Sequence, residues 1–420
     1  LSKVAEIVSV GTELLFGQIV DTNAQHLGQL LPELGIHHYF RQTVGDNLDR
    51  LTQALTLALS RADIVFTIGG LGPTQDDLTR DGIAAALDEQ LIIDEKIADK
   101  LKKLFELRKL TWTENQNRQA MRPACAKPIE NPNGTAPGLI CEKNGKVIIA
   151  LPGPRGEFVP MIDGPVKDYL ASLAGDEVLH SRLLKICGLG ESLVETKIKP
   201  LLQSTNPTIA PYAKLGEVHL RVTARAPTIQ LAEKMIEPVE MRIREVLGQA
   251  VFGADQATLE YVTLDILKGR KQTLAVAESI TGGGLGSRIS SVPGASETFI
   301  GGIISYDKEI KAKELGVDRK LLDDPKIGPV SAEVAAEMAI SVRQRLNAAY
   351  GVSLTGNAGP TSDEGGKPIG LNYIGVAGPQ GVRVEEYRFR GTREDIRYRA
   401  TQAALTLLRE ILLADQKPDA

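Results

Sequence analysis

The stretch LAVAESITGGGLGSR (Leu274–Arg288) begins as an apolar run, passes through Glu278 and Ser279, and then places three glycines in succession before a fourth at Gly286. A short apolar run that ends in glycines reads as a buried strand, and the residues behind it as a helix entry. Strand, glycine turn and helix make the first half of a βαβ unit, so the segment points to a parallel sheet with right-handed crossovers. Four glycines exceed what a turn requires. Either the backbone must come close to something there, or the turn is only tight.

The same grammar recurs on both sides. QTLAVAES is followed by the strand-like TFIGGIISYD, the helix-like SAEVAAEMAISVRQRLNAAY with Ser331 as its N-cap, the strand GVSLTGNAGP, two paired strands (GLNYIGVAG and VRVEEYRFR) and a closing helix, REDIRYRATQAALTLLREIL. Near the N-terminus, AEIVSVG, HHYFRQTVGD and DIVFTIGGLG read as strands. DTNAQHLGQLLPELG, NLDRLTQALTLALSRA and DLTRDGIAAALD read as the intervening helices. LFELRKLTWTENQNRQAMRP reads as one polar helical stretch carrying Asn115 and Arg118. From about Ala174, SRLLKICGLG, ESLVETKIKPLLQ, EVHLRVTARA and TIQLAEKMIEPVEMRIREVLG form a smaller α+β unit. The expected fold class is therefore α/β: two α/β domains with mainly parallel or mixed sheets (1–170 and 256–420) joined by a small α+β domain (171–255).

Bulk composition narrows the function. The formal net charge of −4 argues against a general nucleic-acid or membrane-surface binder. No apolar run approaches the ~18–20 residues of a membrane span, and VAEIVSVG lacks the pattern of a secretory leader. Cys125, Cys141 and Cys187 show neither metal spacing nor an even disulfide set, which suits a reducing cytoplasm. The five histidines form no zinc motif.

Ligands of such sheets lie at the carboxyl ends of the strands. In GGLGPTQDDLTRD, Gly69, Gly70 and Gly72 with Thr74 can present backbone N–H groups to a phosphate. Asp76 and Asp77 would repel that phosphate without an intervening cation, so glycines beside carboxylates suggest a phosphate–metal site with a hard divalent ion. The plainer reading is a helix start whose acidic residues complement the dipole. GTEL and VGDN, with Asp46, end neighbouring strands and favour the site. NPNGTAPGL and LPGPRGEF belong to the same region.

In the C-terminal block, Ser279 stands where a nucleophile elbow would place it, although G-x-S-x-G is absent. No histidine follows His219, so a Ser-His-Asp triad within this block is excluded. A buried lysine with a lowered pKa is the remaining kind of base. SYDKEIKAKELG supplies Tyr306, Lys308, Lys311 and Lys313; a solvated lysine run is the plainer alternative for any one of them. TGNAGP, with Thr355 and Gly356, offers further backbone donors, and Arg390, Arg393 and Arg397 near the last helix suit a phosphate. Together these suggest hydrolysis of an acyl or amide bond in a phosphorylated small molecule. A dinucleotide fold is disfavoured, because no G-x-G-x-x-G register fits Gly282–Ile289.

The motifs GTELLFGQIVDTNA, GGLGPTQDDLTRD, GTAPGL, LPGPRGEF, GLGESLVE, AESITGGGLGSRI, GGIISYDKEIKAKELGV, GPVSAEVAAEMA, TGNAGP and GTREDIR occur in an order that resembles the CinA family over nearly the whole chain. The resemblance implies a molybdopterin-binding-like N-terminal domain, a KH-like middle domain and a C-terminal domain similar to nicotinamide mononucleotide amidohydrolases. It implies Ser279 as nucleophile, Lys311 as base and Tyr306 as an orienting or relay group. Thr355 and Gly356 would bind substrate and Arg393 its phosphate, Arg393 also being a charge that could lower the Lys311 pKa. The glycines after Ser279 would supply oxyanion donors. For the N-terminal domain the resemblance implies a metal-dependent ADP-ribose pyrophosphatase that uses magnesium, manganese or cobalt. Asp46, Asp76 and Asp77 would then serve the metal or its water, and Gly69–Thr74 would cradle phosphate. No cofactor is implied for the C-terminal domain. The implied partners are small-molecule nucleotides and a second copy in a homodimer, with no membrane or nucleic acid. Two positions depart from the family pattern: Asn357, where an apolar residue is usual, and Arg155, where proline or a small residue is. The competing readings are an N-terminal pterin- or nucleotide-binding module without chemistry, and an interaction protein of competence or DNA damage.

Overall fold

The computed structural model describes residues 3–107, 109, 111–173, 177–362 and 366–415. Ala174, near which the composition changes, lies outside them. The described chain divides into two compact units, Leu1–His180 with Ala224–Met235, and Ser181–Thr223 with Ile236–Ala420.

In the first unit, strands β1 (Val4–Val10), β2 (His37–Val44) and β3 (Ile64–Ile68) alternate with helices Thr22–Glu33 and Leu48–Arg61. A small antiparallel pair follows, β4 (Leu91–Ile93) with β5 (Met121–Pro123), and then β6 (Ala126–Ile129), β7 (Gly138–Lys143) and β8 (Lys146–Leu151). The main sheet runs β2-β1-β3-β8-β7-β6, its first four strands parallel and its last two antiparallel. Side chains alternate across it, as the period of two requires. Ile7, Phe66 and Ile149 pack with Leu27 and Phe158 on one face, while Val8, Val65 and Ile148 pack with Leu51 and Ile83 on the other. Helix Thr22–Glu33 starts where expected: the Asp21 carboxylate caps the amide of Ala24, and Gly35 just past the end sits at φ +68°.

One expectation fails here. The polar stretch from Leu104 is not a single helix. A helix ends at Leu107, a 3-10 segment covers Glu114–Ala120, and Met121 enters β5. Trp112 packs edge-on to Phe105, so the chain folds back after the helix. Cys125 and Cys141, distant in sequence, become neighbours because Ala126 pairs with Cys141 across the sheet. All three cysteines are free thiols.

In the second unit, β9 (Val178–Ile186), β10 (Thr208–Lys214), β11 (Glu217–Ala226) and β12 (Val251–Ala254) form a sheet in the order β10-β11-β9-β12. β10 was not foreseen in the sequence, where its prolines and polar residues mask it. β13 (Leu274–Glu278), β14 (Phe299–Ile304), β15 (Tyr350–Gly356), β16 (Leu371–Gly378) and β17 (Gly381–Arg388) form another in the order β14-β13-β15-β16-β17. β14, β13 and β15 are parallel; β16 and β17 return antiparallel. Helices Leu259–Gly269, Gly284–Ser290 and Arg393–Ala414 cover one face, and Lys308–Leu315 and Ala332–Arg345 the other. The fold is thus mixed α/β, with two α/β domains and a small α+β domain between them in sequence. Among the described residues no helix is long and apolar enough to cross a membrane.

Candidate functional site

Strand register builds the C-terminal site. Glu278 pairs with Ile304 on one side and Leu354 on the other. Ser279, Ser305 and Thr355 each follow by one residue, so all three emerge at the same level of the parallel sheet. The Ser279 amide donates to Leu354 O and the Ser305 amide to Glu278 O, which locks that row.

Lys311, one turn into helix Lys308–Leu315, reaches back beneath the row and is only 2% exposed. Its Nζ lies 2.9 Å from Ser279 Oγ, 2.7 Å from Ser305 O and 3.2 Å from Tyr306 O. Burial pushes its pKa down to about 8, against the opposing pull of Asp307. Arg393 is not a cause of that shift. Arg393 instead donates through Nη2 to Tyr306 Oη at 2.7 Å and through Nη1 to Gly359 O. Tyr306 therefore offers the dyad its carbonyl, while its hydroxyl faces Arg393. Thr355 is buried, and its hydroxyl donates to Pro329 O at 2.7 Å. Gly356 has no room for a side chain: a Cβ would stand 2.4 Å from Asn372 Oδ1. A cavity of about 280 Å³ joins Ser279, Tyr306, Lys311, Thr355, Gly356 and Arg393. Among its described lining residues are three cations, Lys308, Lys311 and Arg393, and no carboxylate.

The glycines after Ser279 do not serve as expected. Glu278, 1% exposed, turns its carboxylate into the helix start and accepts from Thr281 Oγ1 (2.6 Å) and the amides of Gly283 (3.1 Å), Leu285 (2.9 Å) and Gly286 (2.7 Å). Gly282 and Gly284 donate to Ser279 O and Thr281 O. The positive φ of Gly282 and Gly283 (58° and 96°) wraps the loop around that carboxylate. Within the 279–286 segment, the amides left without a protein acceptor are those of Ile280 and Thr281, and Ile280 lines the cavity. The signal for this was one acidic residue closing an apolar strand.

In the N-terminal domain, β1, β2, β3 and β8 end together, bringing Thr12, Asp46, Gly69–Asp77 and Gly153 to one edge. Gly69 and Gly70 have φ of 101° and 65°, and a Cβ on Gly70 would meet Thr79 Oγ1 at 2.4 Å. The cradle is narrower than expected. The Gly69 amide donates to Leu151 O and the Thr74 amide to Asp77 Oδ2, which leaves Gly70, Leu71 and Gly72. Buried Arg80 holds the loop from behind, donating to Leu71 O at 2.6 Å and Gly72 O at 3.3 Å; burial lowers its pKa to about 10. Arg118 donates to Asp77 O at 3.1 Å and pairs with Asp81 at 2.9 Å. Asp46 accepts from Thr12 N (3.0 Å) and Oγ1 (2.7 Å). Asp76 is exposed. Among the described residues no three His, Cys, Asp or Glu side chains converge as a metal cluster, so Asp46, Asp76 and Asp77 do not form a three-carboxylate cage. Their hard oxygens fit a divalent ion in another way, one or two carboxylates with the remaining positions taken by ligand phosphate and water. Arg80 and Arg118, which bond to this loop, each keep a buried Nε without a partner, and Asn23, whose Nδ2 donates to Gly153 O, keeps a buried Oδ1 without one. A larger cavity of about 680 Å³ lies between helix Glu95–Leu107 and the 128–137 segment; among its described lining residues are Asn131, Gly134 and Thr135, and none of Asp46, Asp76 or Asp77.

Residues 6–172 match the probable molybdopterin binding domain, 181–253 the damage-inducible protein CinA KH domain, and 256–412 the CinA C-terminal domain. A CinA-like protein of Dictyoglomus thermophilum is 46% identical over 409 residues, 97% of this chain and 99% of its own. The chain belongs to the CinA family. A second CinA-family relative, a putative competence-damage inducible protein of Moorella thermoacetica, is 46% identical over 405 residues, 96% of this chain and 97% of its own. A crystal structure of the protein CinA with unknown function from Thermoplasma acidophilum shares 39% identity and covers 40% of this chain and 98% of its own, with a TM-score of 0.38. In CinA terms, the Gly69–Asp77 loop belongs to the molybdopterin-binding-like domain and the Ser279–Lys311 pair to the C-terminal domain.

Proposed function

We propose that the C-terminal domain hydrolyses the carboxamide of nicotinamide mononucleotide, giving nicotinic acid mononucleotide and ammonia. The observation that carries this reading is the contact set of Lys311. A neutral amine has two N–H donors and one lone pair. Lys311 Nζ donates to Ser305 O, Tyr306 O and Ser279 Oγ; once neutral it keeps the two carbonyls on its two donors and turns its lone pair to the Ser279 hydroxyl. Ser279 Oγ attacks the carboxamide carbon as its proton passes to Lys311 Nζ. The oxyanion meets the Ile280 and Thr281 amides. Lys311 returns the proton to the departing ammonia. Water, deprotonated by Lys311, then cleaves the ester and restores Ser279. The cationic cavity suits an anionic substrate, and its volume lies near the lower end for small-molecule sites, about 300 Å³. Arg393 would take the phosphate. The test is ammonia release from nicotinamide mononucleotide by the full chain, compared with Ser279→Ala.

For the N-terminal domain, Arg80 and Arg118, which hold the Gly69–Asp81 segment and each keep a buried Nε without a partner, favour a polar ligand. We infer a divalent-metal-dependent hydrolysis of ADP-ribose to AMP and ribose 5-phosphate. The Gly70–Gly72 amides would hold phosphate, while Asp46 and Asp77 would hold the ion, which neutralises phosphate charge when bound. AMP formation from ADP-ribose with magnesium, manganese or cobalt tests it. Saturable pterin binding without AMP would favour the binding-module reading instead. A homodimer and a cytoplasmic location, which the free thiols suit, complete the proposal; light scattering tests the former.

A further inference from the structure

Asn357 departs from the family pattern, and its side chain is fully used. Nδ2 donates to Thr361 O and to Lys367 O, both at 3.0 Å, and Oδ1 accepts from the Gly359 amide at 2.8 Å. Its backbone is tied as well, N to Leu371 O at 2.9 Å and O to the Gly370 amide at 2.7 Å. One residue thus gathers a loop from points two, four and ten positions downstream. Ala358, Gly359, Thr361 and Ser362 of that loop line the cavity. Gly359 O accepts from Arg393 Nη1, so the clasp also sets where the guanidinium stands. An apolar side chain would leave two carbonyls and one amide unpartnered. Aspartate would retain the acceptor but oppose two carbonyl oxygens with a carboxylate oxygen.

We propose that Asn357 is a specificity-determining positioning residue. By clasping the loop against Arg393 it tunes the site for the phosphate end of the substrate, not for the amide that is cleaved. The inference rests on the amidohydrolase reading. It places Asn357 outside the proton-transfer path, since its side-chain contacts all lie within the loop and not on Ser279 or Lys311.

The test compares nicotinamide mononucleotide with its unphosphorylated riboside as substrates of the full chain, in wild type, Asn357→Ala and Asn357→Asp. For both variants kcat/KM on the mononucleotide should fall at least about tenfold, mostly through KM, roughly what the loss of one or two part-buried hydrogen bonds entails. The riboside should change by less than about threefold, so the preference for phosphate collapses. An unchanged preference in an active protein overturns the proposal alone, as does an equal loss on both substrates, which marks a general packing role. A wild type that releases no ammonia from either substrate removes the amidohydrolase reading and this proposal with it.

Discussion

Lys311 Nζ stands 2.9 Å from Ser279 Oγ, and both of its other hydrogen-bond partners are backbone carbonyls. Among the described residues no carboxylate bonds to Nζ; burial favours loss of its proton, while Asp307 pulls the other way. Ser279→Ala should reduce ammonia release to background while nicotinamide mononucleotide still binds by calorimetry. Lys311→Arg should be equally inactive, because a guanidinium stays protonated. Retention of more than about a tenth of wild-type turnover by the arginine variant would take Lys311 out of the reaction.

The pH dependence follows from the burial of that lysine. As the base must be neutral, kcat/KM should climb with pH and level off above about 8. The pKa of the folded protein lies below the 10.5 of an ordinary lysine. The unfolded chain therefore binds more protons between those values, and stability rises with pH across the window. Relative to Lys311→Met, the wild type should gain up to about 3 kcal/mol from pH 8 to 10.5, since each pKa unit is worth 1.36 kcal/mol. Denaturant melts of both proteins at several pH values would measure it; parallel curves would contradict it.

Glu278 holds the loop that follows Ser279. In Glu278→Gln an amide NH₂ must face N–H donors, so some of the four hydrogen bonds are lost. The expected cost is roughly 3 kcal/mol of stability, typical for breaking charge-assisted bonds in a buried site. Turnover should fall by about 100-fold or more as Ser279 and the Ile280 amide lose their placement. A variant with wild-type melting and wild-type turnover would show that the carboxylate is dispensable.

Asp77 braces the Gly69–Asp77 loop through Thr74. Asp77→Asn keeps an acceptor for Thr74 but removes the charge. Metal-dependent AMP formation from ADP-ribose should drop about 100-fold, the low end of an acid–base or metal-positioning contribution. Chelation of divalent ions should abolish the same activity, and neither treatment should alter ammonia release. Equal loss of both activities would indicate unfolding, and loss of neither would relocate the site.

Local patterning settled much of this protein. Apolar runs ending in glycines marked the strands and their carboxyl ends, because buried parallel strands must be apolar on both faces. The lack of histidine after His219 pointed to a lysine base, and the order of motifs pointed to the family. Tertiary structure decided what pattern cannot carry. Whether a glycine amide is free depends on where a neighbouring side chain turns, and Glu278 turns inward onto its own helix start. Whether Lys311 can lose its proton near neutral pH depends on burial, and burial depends on helix Lys308–Leu315 packing under β13 and β14. Asn357 looked like a departure in a motif; its three side-chain bonds reach Gly359, Thr361 and Lys367, a closure that exists only once the loop has folded.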